Sequence, residues 1–109
     1  MRGGLSRCRF EEGTKIARVT DFLDAMASCP TPTFVMDKHD LAEEFFDLKS
    51  GLAGEFLQKV SNYRKRLAIL GDYSAIAGKA LRDFIYESNR TGQVVFAEDL
   101  EGAIDLLKP

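Results

Sequence analysis

The sequence predicts a single small α/β domain in which helices pack on a mostly parallel, four-stranded sheet. Short apolar runs alternate with helical patterns, and 45% of the 109 residues are hydrophobic, which suffices for one buried core. Strands that alternate with helices need crossover connections, which join parallel neighbours. We expect residues 15–109 to form the domain, and residues 1–14 to be a flexible lead-in or a short strand near Cys8–Phe10.

Short apolar runs rich in β-branched or aliphatic side chains are predicted to be the buried strands. They are Thr33–Met36, Leu67–Leu70 and Val94–Phe96. The run Leu67–Leu70 has no polar alternation, which is typical of a strand covered on both faces. We therefore place it at the centre of the sheet.

Helical spacing of apolar residues and capping signals predict the helices. They are a helix that starts at Thr20 and ends before Pro30, a short one with a capping box at Asp40 and Glu43, and longer ones at about Gly51–Tyr63 and Ala77–Asn89. A last helix should bury one stripe made of Leu100, Ala103, Ile104 and Leu107.

Charge and cysteine content exclude several classes of partner. The 15 basic and 17 acidic side chains give a net charge of −2, so we expect no binding to nucleic acid or to a membrane surface. No apolar stretch approaches the roughly 18 residues of a membrane span, and no signal peptide is recognised, which favours the cytoplasm.

Cys8 and Cys29 lack metal-binding spacing and are expected to be thiols. The basic segment 63–66 is interpreted as a solvated helix end.

One central segment carries a resemblance to a known family. The similar residues lie at 45–59, 62–64, 67–72, 80–90 and 95–96, including Phe45-Phe46-Asp47-Leu48 and Leu67-Ala68-Ile69-Leu70-Gly71-Asp72. Over about residues 34–108, the chain resembles the bacterial family called domain of unknown function 4180. The resemblance implies a fold and an interaction surface, and it transfers no catalytic residue.

A second similarity is to the STAS domains of anti-sigma-factor antagonists. These domains place an Asp-Ser-Ser-Gly-Leu turn before a helix, and Asp47-Leu48-Lys49-Ser50-Gly51-Leu52 is similar with one extra residue. Lys49 stands where those regulators carry the serine that is phosphorylated. The resemblance implies a STAS-like architecture. Ser50 either caps the following helix or is a phosphorylation site, and Gly51 and Gly54 either allow close packing or leave backbone N–H groups open to an anion.

Polar residues after two predicted strands are candidates for ligand binding. Asp37 and Asp72 follow strands whose carboxyl ends should lie at one edge of the sheet. Two carboxylates there could hold Mg²⁺ or share a proton, whereas Asp also commonly caps the turn after a strand. The lone His39 is interpreted as a loop residue.

The fourth predicted helix carries more polar side chains than its solubility requires. Arg82, Asn89 and Arg90 either form an interaction surface or belong to a salt network in which Asp83 and Glu87 pair with Arg82 or Arg90.

The leading hypothesis is a noncatalytic regulatory or protein-interaction module of STAS-like architecture. No catalytic residue, metal site or cofactor is assigned, and the partner is another protein or a second copy of the chain. The alternatives are a small-ligand or metal-dependent enzyme that uses Asp37, Asp72 and the Ser50 turn, and a structural homodimer.

Overall fold

A computed structural model describes residues 5–7, 16–29, 31–76 and 78–107. The strands are β1 (Leu5–Arg7), β2 (Thr33–Asp37), β3 (Arg66–Leu70) and β4 (Val94–Ala97). The helices are α1 (Val19–Ala27), α2 (Leu52–Asn62), α3 (Lys79–Thr91) and α4 (Leu100–Leu106). Three short 3₁₀ turns, Lys38–Asp40, Glu43–Phe46 and Leu48–Ser50, connect β2 to α2.

The strands β2, β3 and β4 form a parallel sheet with β3 between the other two. The backbone of β1 pairs with β2, also in parallel. The predicted small α/β class and the central position of β3 are therefore confirmed. The short strand expected near Cys8–Phe10 lies outside the described residues, and β1 is found just before it.

One face of the sheet packs against three helices. Phe34, Leu67 and Phe96 point to this face and belong to one buried cluster with side chains of α1 and α2, while Phe84 and Ile85 of α3 pack against it. The rings of Phe22 in α1 and Phe56 in α2 stack with centroids 4.2 Å apart, and both side chains are fully buried. This layer is the main core of the domain.

The opposite face of the sheet carries smaller side chains and packs against α4. Its buried cluster consists of Val35, Ala68, Leu70, Val95, Ala97 and Ala103, with Leu106 and Leu107 partly buried against it. The predicted stripe is wrong in part, because Leu100 and Ile104 are 38% and 40% exposed. The seven-residue helix is rotated so that Ala103 meets the sheet and Leu106 takes the place expected for Ile104.

Helix starts differ from the sequence prediction at two places. The helix α1 begins at Val19 with Arg18 as its N-cap residue, so Thr20 lies inside the helix and does not cap it. The region after Asp40 forms 3₁₀ turns and no α-helix. The starts of α1 and α3 have no side-chain cap, since their N-cap residues Arg18 and Gly78 make no capping hydrogen bond.

No helix in the described ranges is long and apolar enough to cross a bilayer. Cys29 is buried. Cys8 lies outside the described residues, so the expectation that both cysteines are thiols stays a prediction.

The helix α2 ends in a Schellman motif with an unusual residue. The N–H of Arg64 donates to the carbonyl of Ser61, and the N–H of Lys65 donates to that of Val60, both at 3.0 Å. This motif places the first of the two donors in the left-handed region, where glycine is usual. Here Arg64 has φ +57°, and it is the one non-glycine residue with positive φ in the described part of the chain.

Replacing Arg64 by glycine should raise the free energy of unfolding by about 1 kcal/mol. A side chain in the left-handed region costs about 1–2 kcal/mol, and the larger entropy of glycine in the unfolded chain offsets part of the gain. Urea denaturation followed by circular dichroism measures the change. The matched control is Arg82→Gly at an exposed position inside α3, which should lose about 1 kcal/mol. An equal loss in the free energy of unfolding of both variants would contradict the conclusion that the left-handed conformation of Arg64 is costly.

Candidate functional site

Asp37 lies at the carboxyl end of β2, where it caps the following 3₁₀ turn. Its side chain accepts a hydrogen bond from the backbone N–H of Asp40, and the Asp40 carboxylate accepts one from the N–H of Asp37 at 3.0 Å. The capping box predicted at Asp40 and Glu43 is therefore wrong, because the box is formed three residues earlier, by Asp37 and Asp40. Asp40 is the last residue of the box and not the first, because the chain turns immediately after the strand.

Asp72 is held within the loop that follows β3. One of its carboxylate oxygens accepts hydrogen bonds from the Ser74 N–H at 2.9 Å and the Ser74 hydroxyl at 2.6 Å. These bonds, with a smaller contribution from the charge of Lys38, lower the pKa of the Asp72 carboxyl. Asp37 and Asp72 thus each accept hydrogen bonds from residues of the turn in which they lie. Across the described residues, no group of three or more His, Cys, Asp or Glu side chains is arranged to hold a metal ion.

Lys38 covers the carboxyl edge of the sheet between these two turns. Its ammonium nitrogen lies 5.2 Å from the ring centroid of Tyr73 and 5.9 Å from that of Phe46, and it donates to the backbone carbonyl of Asp72 at 2.9 Å. A Cβ atom at Gly71 would lie 2.6 Å from the Cβ of Lys38, so glycine is needed for this close approach. Lys38, Phe46 and Tyr73 thus lie together at the edge where a ligand site was predicted, and ligand binding there stays a prediction.

The Ser50–Gly51 turn joins the last 3₁₀ turn to α2. The Ser50 hydroxyl accepts from the Leu52 N–H at 3.1 Å and donates to the carbonyls of Glu44 and Asp47 at 2.7 and 2.8 Å. The Asp47 carboxylate accepts from the Lys49 N–H at 3.1 Å. Gly51 is the N-cap residue of α2, so the Ser50 hydroxyl satisfies the N–H of the first helical residue from one position before the cap. Phosphorylation of Ser50 stays a prediction.

The two glycines of this turn have different roles. Gly51 has φ +76°, a conformation that side chains rarely adopt. Gly54 has no atom within 4 Å of the position its Cβ would take, so the expectation that it allows close packing is wrong. Gly54 lies on the exposed side of α2, and which side of the helix is exposed depends on how α2 packs in the tertiary structure.

Asn89 closes the outer edge of β4. Its side-chain oxygen accepts from the Phe96 N–H at 2.7 Å, and its side-chain nitrogen donates to the Phe96 carbonyl at 3.1 Å. The neighbouring Ser88 hydroxyl donates to the carbonyl of Val94. These backbone groups point away from β3. On the side that faces β3, the carbonyls of Gln93 and Ala97 accept hydrogen bonds from the N–H groups of Leu67 and Gly71. Asn89 therefore takes the place of a neighbouring strand at this edge, and its candidacy as a partner-binding residue stays a prediction.

The charged residues of α3 form two ion pairs along the helix, of which only one had been predicted. Glu87 pairs with Arg90, which the sequence had offered as an option, whereas Asp83 pairs with Lys79 at 2.6 Å. The cation that pairs with Asp83 was wrongly placed at Arg82 or Arg90. Each carboxylate contacts the nearest cation on its own face of the helix, and all four side chains are exposed.

Tyr86 was missed by the sequence analysis. It lies at the middle of α3 and is 70% exposed, the largest value among the exposed large hydrophobic residues of the described chain. The spacing of Arg82, Tyr86 and Arg90 is i, i+4, i+8, which places the three on one face of the helix. This spacing is the signal in the sequence by which Tyr86 could have been found.

These observations define the class of this protein: a small parallel α/β domain whose edge strand is closed by a helix that presents an aromatic and basic outer face. Residues 8–107 match the family described as "Domain of unknown function (DUF4180)", and the chain belongs to that family. The match extends well before residue 34, where the sequence resemblance began. Comparison with curated proteins and with solved structures finds no match for the chain.

Replacing Asn89 by alanine should lower the free energy of unfolding by about 1–3 kcal/mol, because two backbone groups of Phe96 would lose their partners. The open edge of β4 should also increase self-association. Urea denaturation and light scattering measure the two effects. Asn62→Ala, at the exposed end of α2, is the control and should change neither. A stability equal to that of the control would contradict the role given to Asn89.

Tyr73 should ionise only in strongly alkaline solution. Burial, and next the negative charge of Asp37, raise its pKa above the ordinary value of 10.0. A raised pKa means that the folded state keeps the phenol proton, so its contribution to stability is complete below pH 10 and falls as the pH rises further. The stability difference between the wild type and Tyr73→Phe should then shrink by up to about 1.4 kcal/mol per pH unit.

Phenolate absorbance and urea denaturation across this pH range measure the effect. The late absorbance step should vanish in Tyr73→Phe and persist in Tyr63→Phe, whose parent side chain is 58% exposed. A step that vanishes in the second variant and persists in the first would place the late ionisation elsewhere.

Proposed function

We propose that this domain is a noncatalytic protein-interaction module of regulatory type, with a STAS-like architecture, and that its partner binds the outer face of α3. The observation that carries the proposal is the exposure of Tyr86 at the centre of that face. Arg82 lies one turn before it and Arg90 one turn after it. Tyrosine and arginine are the residue types that most often supply the binding energy of protein interfaces.

The charges of α3 indicate what kind of surface fits it. The pairs Lys79–Asp83 and Glu87–Arg90 already satisfy four of the charged side chains on the helix. Such exposed pairs contribute only about 0.2–1 kcal/mol each, so stability does not explain this concentration of charge. A partner with an apolar pocket for the Tyr86 ring and a carboxylate or carbonyl for the exposed Arg82 would complement the face.

The rigidity of α3 supports the same proposal. Its inner face packs on the main core through Phe84 and Ile85, while Ser88 and Asn89 bond it to the backbone of β4. A surface held in this way loses little conformational freedom when a partner binds.

The STAS-like part of the proposal has separate support. It rests on the alternation of strands and helices and on the Ser50–Gly51 turn at the start of α2. The hydroxyl of Ser50 is exposed, and phosphorylation would remove its hydrogen bonds to the carbonyls of Glu44 and Asp47. A change of the turn that opens α2 would follow.

The experiment is affinity capture from a lysate of the source cells, followed by measurement with the purified partner. The combined substitution Arg82→Ala with Tyr86→Ala should weaken binding by at least about 2 kcal/mol, or roughly 30-fold, in a calorimetric titration. Tyr63→Ala, which removes an exposed tyrosine from the end of α2, is the matched control and should bind as the wild type does.

A partner that binds the wild type and the α3 variant equally would contradict the proposed surface. If light scattering shows that the wild type self-associates and that the α3 variant is monomeric, the partner is a second copy of the chain. Catalytic turnover of a substrate by the purified domain would contradict the noncatalytic assignment.

A further inference from the structure

A cleft opens at the amino ends of the strands, opposite the edge that holds Asp37 and Asp72. Its volume is about 490 Å³, within the range of sites for small molecules. The cleft is lined by Pro32, Ser61, Arg64, Lys65, Arg66, Thr91, Gly92 and Gln93. Pro32 precedes β2, and the other residues come from the ends of α2 and α3 and from the starts of the strands that follow these two helices.

The lining of this basic cleft is positively charged. Arg64, Lys65 and Arg66 are the ionisable residues among those that line it, and none of the lining residues is acidic. The Lys65 ammonium donates to the carbonyls of Cys29 and Thr31 at 2.8 and 2.9 Å, so its position is set by the fold. Among the described residues, the guanidinium groups of Arg64 and Arg66 have no such partner. They remain available to a ligand.

The conformation of Arg64 argues that its side chain has a role in the cleft. Basic residues commonly follow a helix because they offset the negative end of its dipole. That effect falls off within the last turn and does not require an arginine in the left-handed region, where glycine is favoured. The chain nevertheless carries Arg64 at φ +57°, on the rim of the cleft. Residues held in costly conformations cluster at binding sites.

A second cavity lies beside the cleft. It has a volume of about 190 Å³ and is lined by Leu57, Phe84, Glu87, Ser88, Thr91, Gln93 and Val94. Thr91 and Gln93 line both cavities, so the two are adjacent. Three of the lining side chains of the second cavity are apolar and come from α2, α3 and β4. One ligand that enters both cavities would need a charged end and an apolar end.

We propose that the basic cleft binds a small organic anion, with its phosphate or carboxylate between Arg64 and Arg66 and its apolar part in the adjacent cavity. Both anions match the planar donor fork of a guanidinium group. The Gln93 side chain, which donates to the carbonyl of Lys65 at 3.4 Å, stands where the two cavities meet. Arg82, Tyr86 and Arg90 line neither cavity, so this site does not depend on the function proposed for the outer face of α3.

The test is a titration of the intact, isotopically labelled chain, followed by the amide resonances in two-dimensional NMR. The probes are phenyl phosphate, benzoate, inorganic phosphate and phenol. We expect saturable shifts at residues 64–66 and 91–93 with phenyl phosphate or benzoate, and the tighter of these two identifies the anionic group. Inorganic phosphate and phenol should bind at least about tenfold more weakly, since each lacks one half of the ligand.

Two substitutions test the role of the guanidinium groups. Arg66→Gln and Arg64→Gly should each weaken binding of the tighter probe by about tenfold. Arg64→Gly is expected to be at least as stable as the wild type, so its loss of affinity cannot come from unfolding. Arg82→Gln, on the outer face of α3, is the matched control and should bind normally.

Several outcomes would overturn the proposal. They are the absence of saturable shifts with both organic anions, equal binding of phenol or of inorganic phosphate, and an equal loss of affinity in Arg82→Gln. Saturable shifts confined to residues outside 64–66 and 91–93 would also overturn it, because the probe would then occupy another site.

Discussion

The order of the parallel strands is the constraint on which the rest of the structure depends. Strands that are adjacent both in the chain and in the sheet are joined by crossover helices of one hand, and those helices then lie on one face. In this domain α1, α2 and α3 all contribute to the same buried cluster. The opposite face packs against α4, and the small side chains of Ala68 and Ala97 allow that helix to approach the sheet.

The same order leaves β4 at an edge, and this determines what α3 does. Backbone groups of Val94 and Phe96 point away from the sheet and would be open to another strand. Ser88 and Asn89 satisfy them, so the inner side of α3 is committed to the fold. Its outer side, with Tyr86 at the centre, is exposed to solvent. The two ends of the sheet differ in a similar way, because Lys38 covers the carboxyl end and a basic cleft opens at the amino end.

The candidate site was the part least accessible to sequence reasoning. Aspartate and serine after a strand either bind a ligand or cap a turn, and both roles use the same residue types. Asp37 and Asp72 proved to cap their own loops, since the nearest backbone N–H groups lie within reach of their carboxylates. The sequence offered Asn89 as part of an interaction surface or of a salt network, and the structure shows its side chain bonded to the backbone of Phe96, seven residues away. No local pattern specifies that the strand after α3 lies at an edge.

The sequence by itself determined the class of the fold, the buried strands and the extent of α2. Periodicity is a property of neighbouring residues, and Leu52, Phe56 and Val60 share one face of α2 wherever the helix packs. Tertiary structure alone decided that Leu100 and Ile104 remain partly exposed, that Lys38 covers Tyr73, and that the ends of α2 and α3 meet around a cleft. These features depend on how elements far apart in the chain are rotated and placed, which is set by packing and not by local spacing.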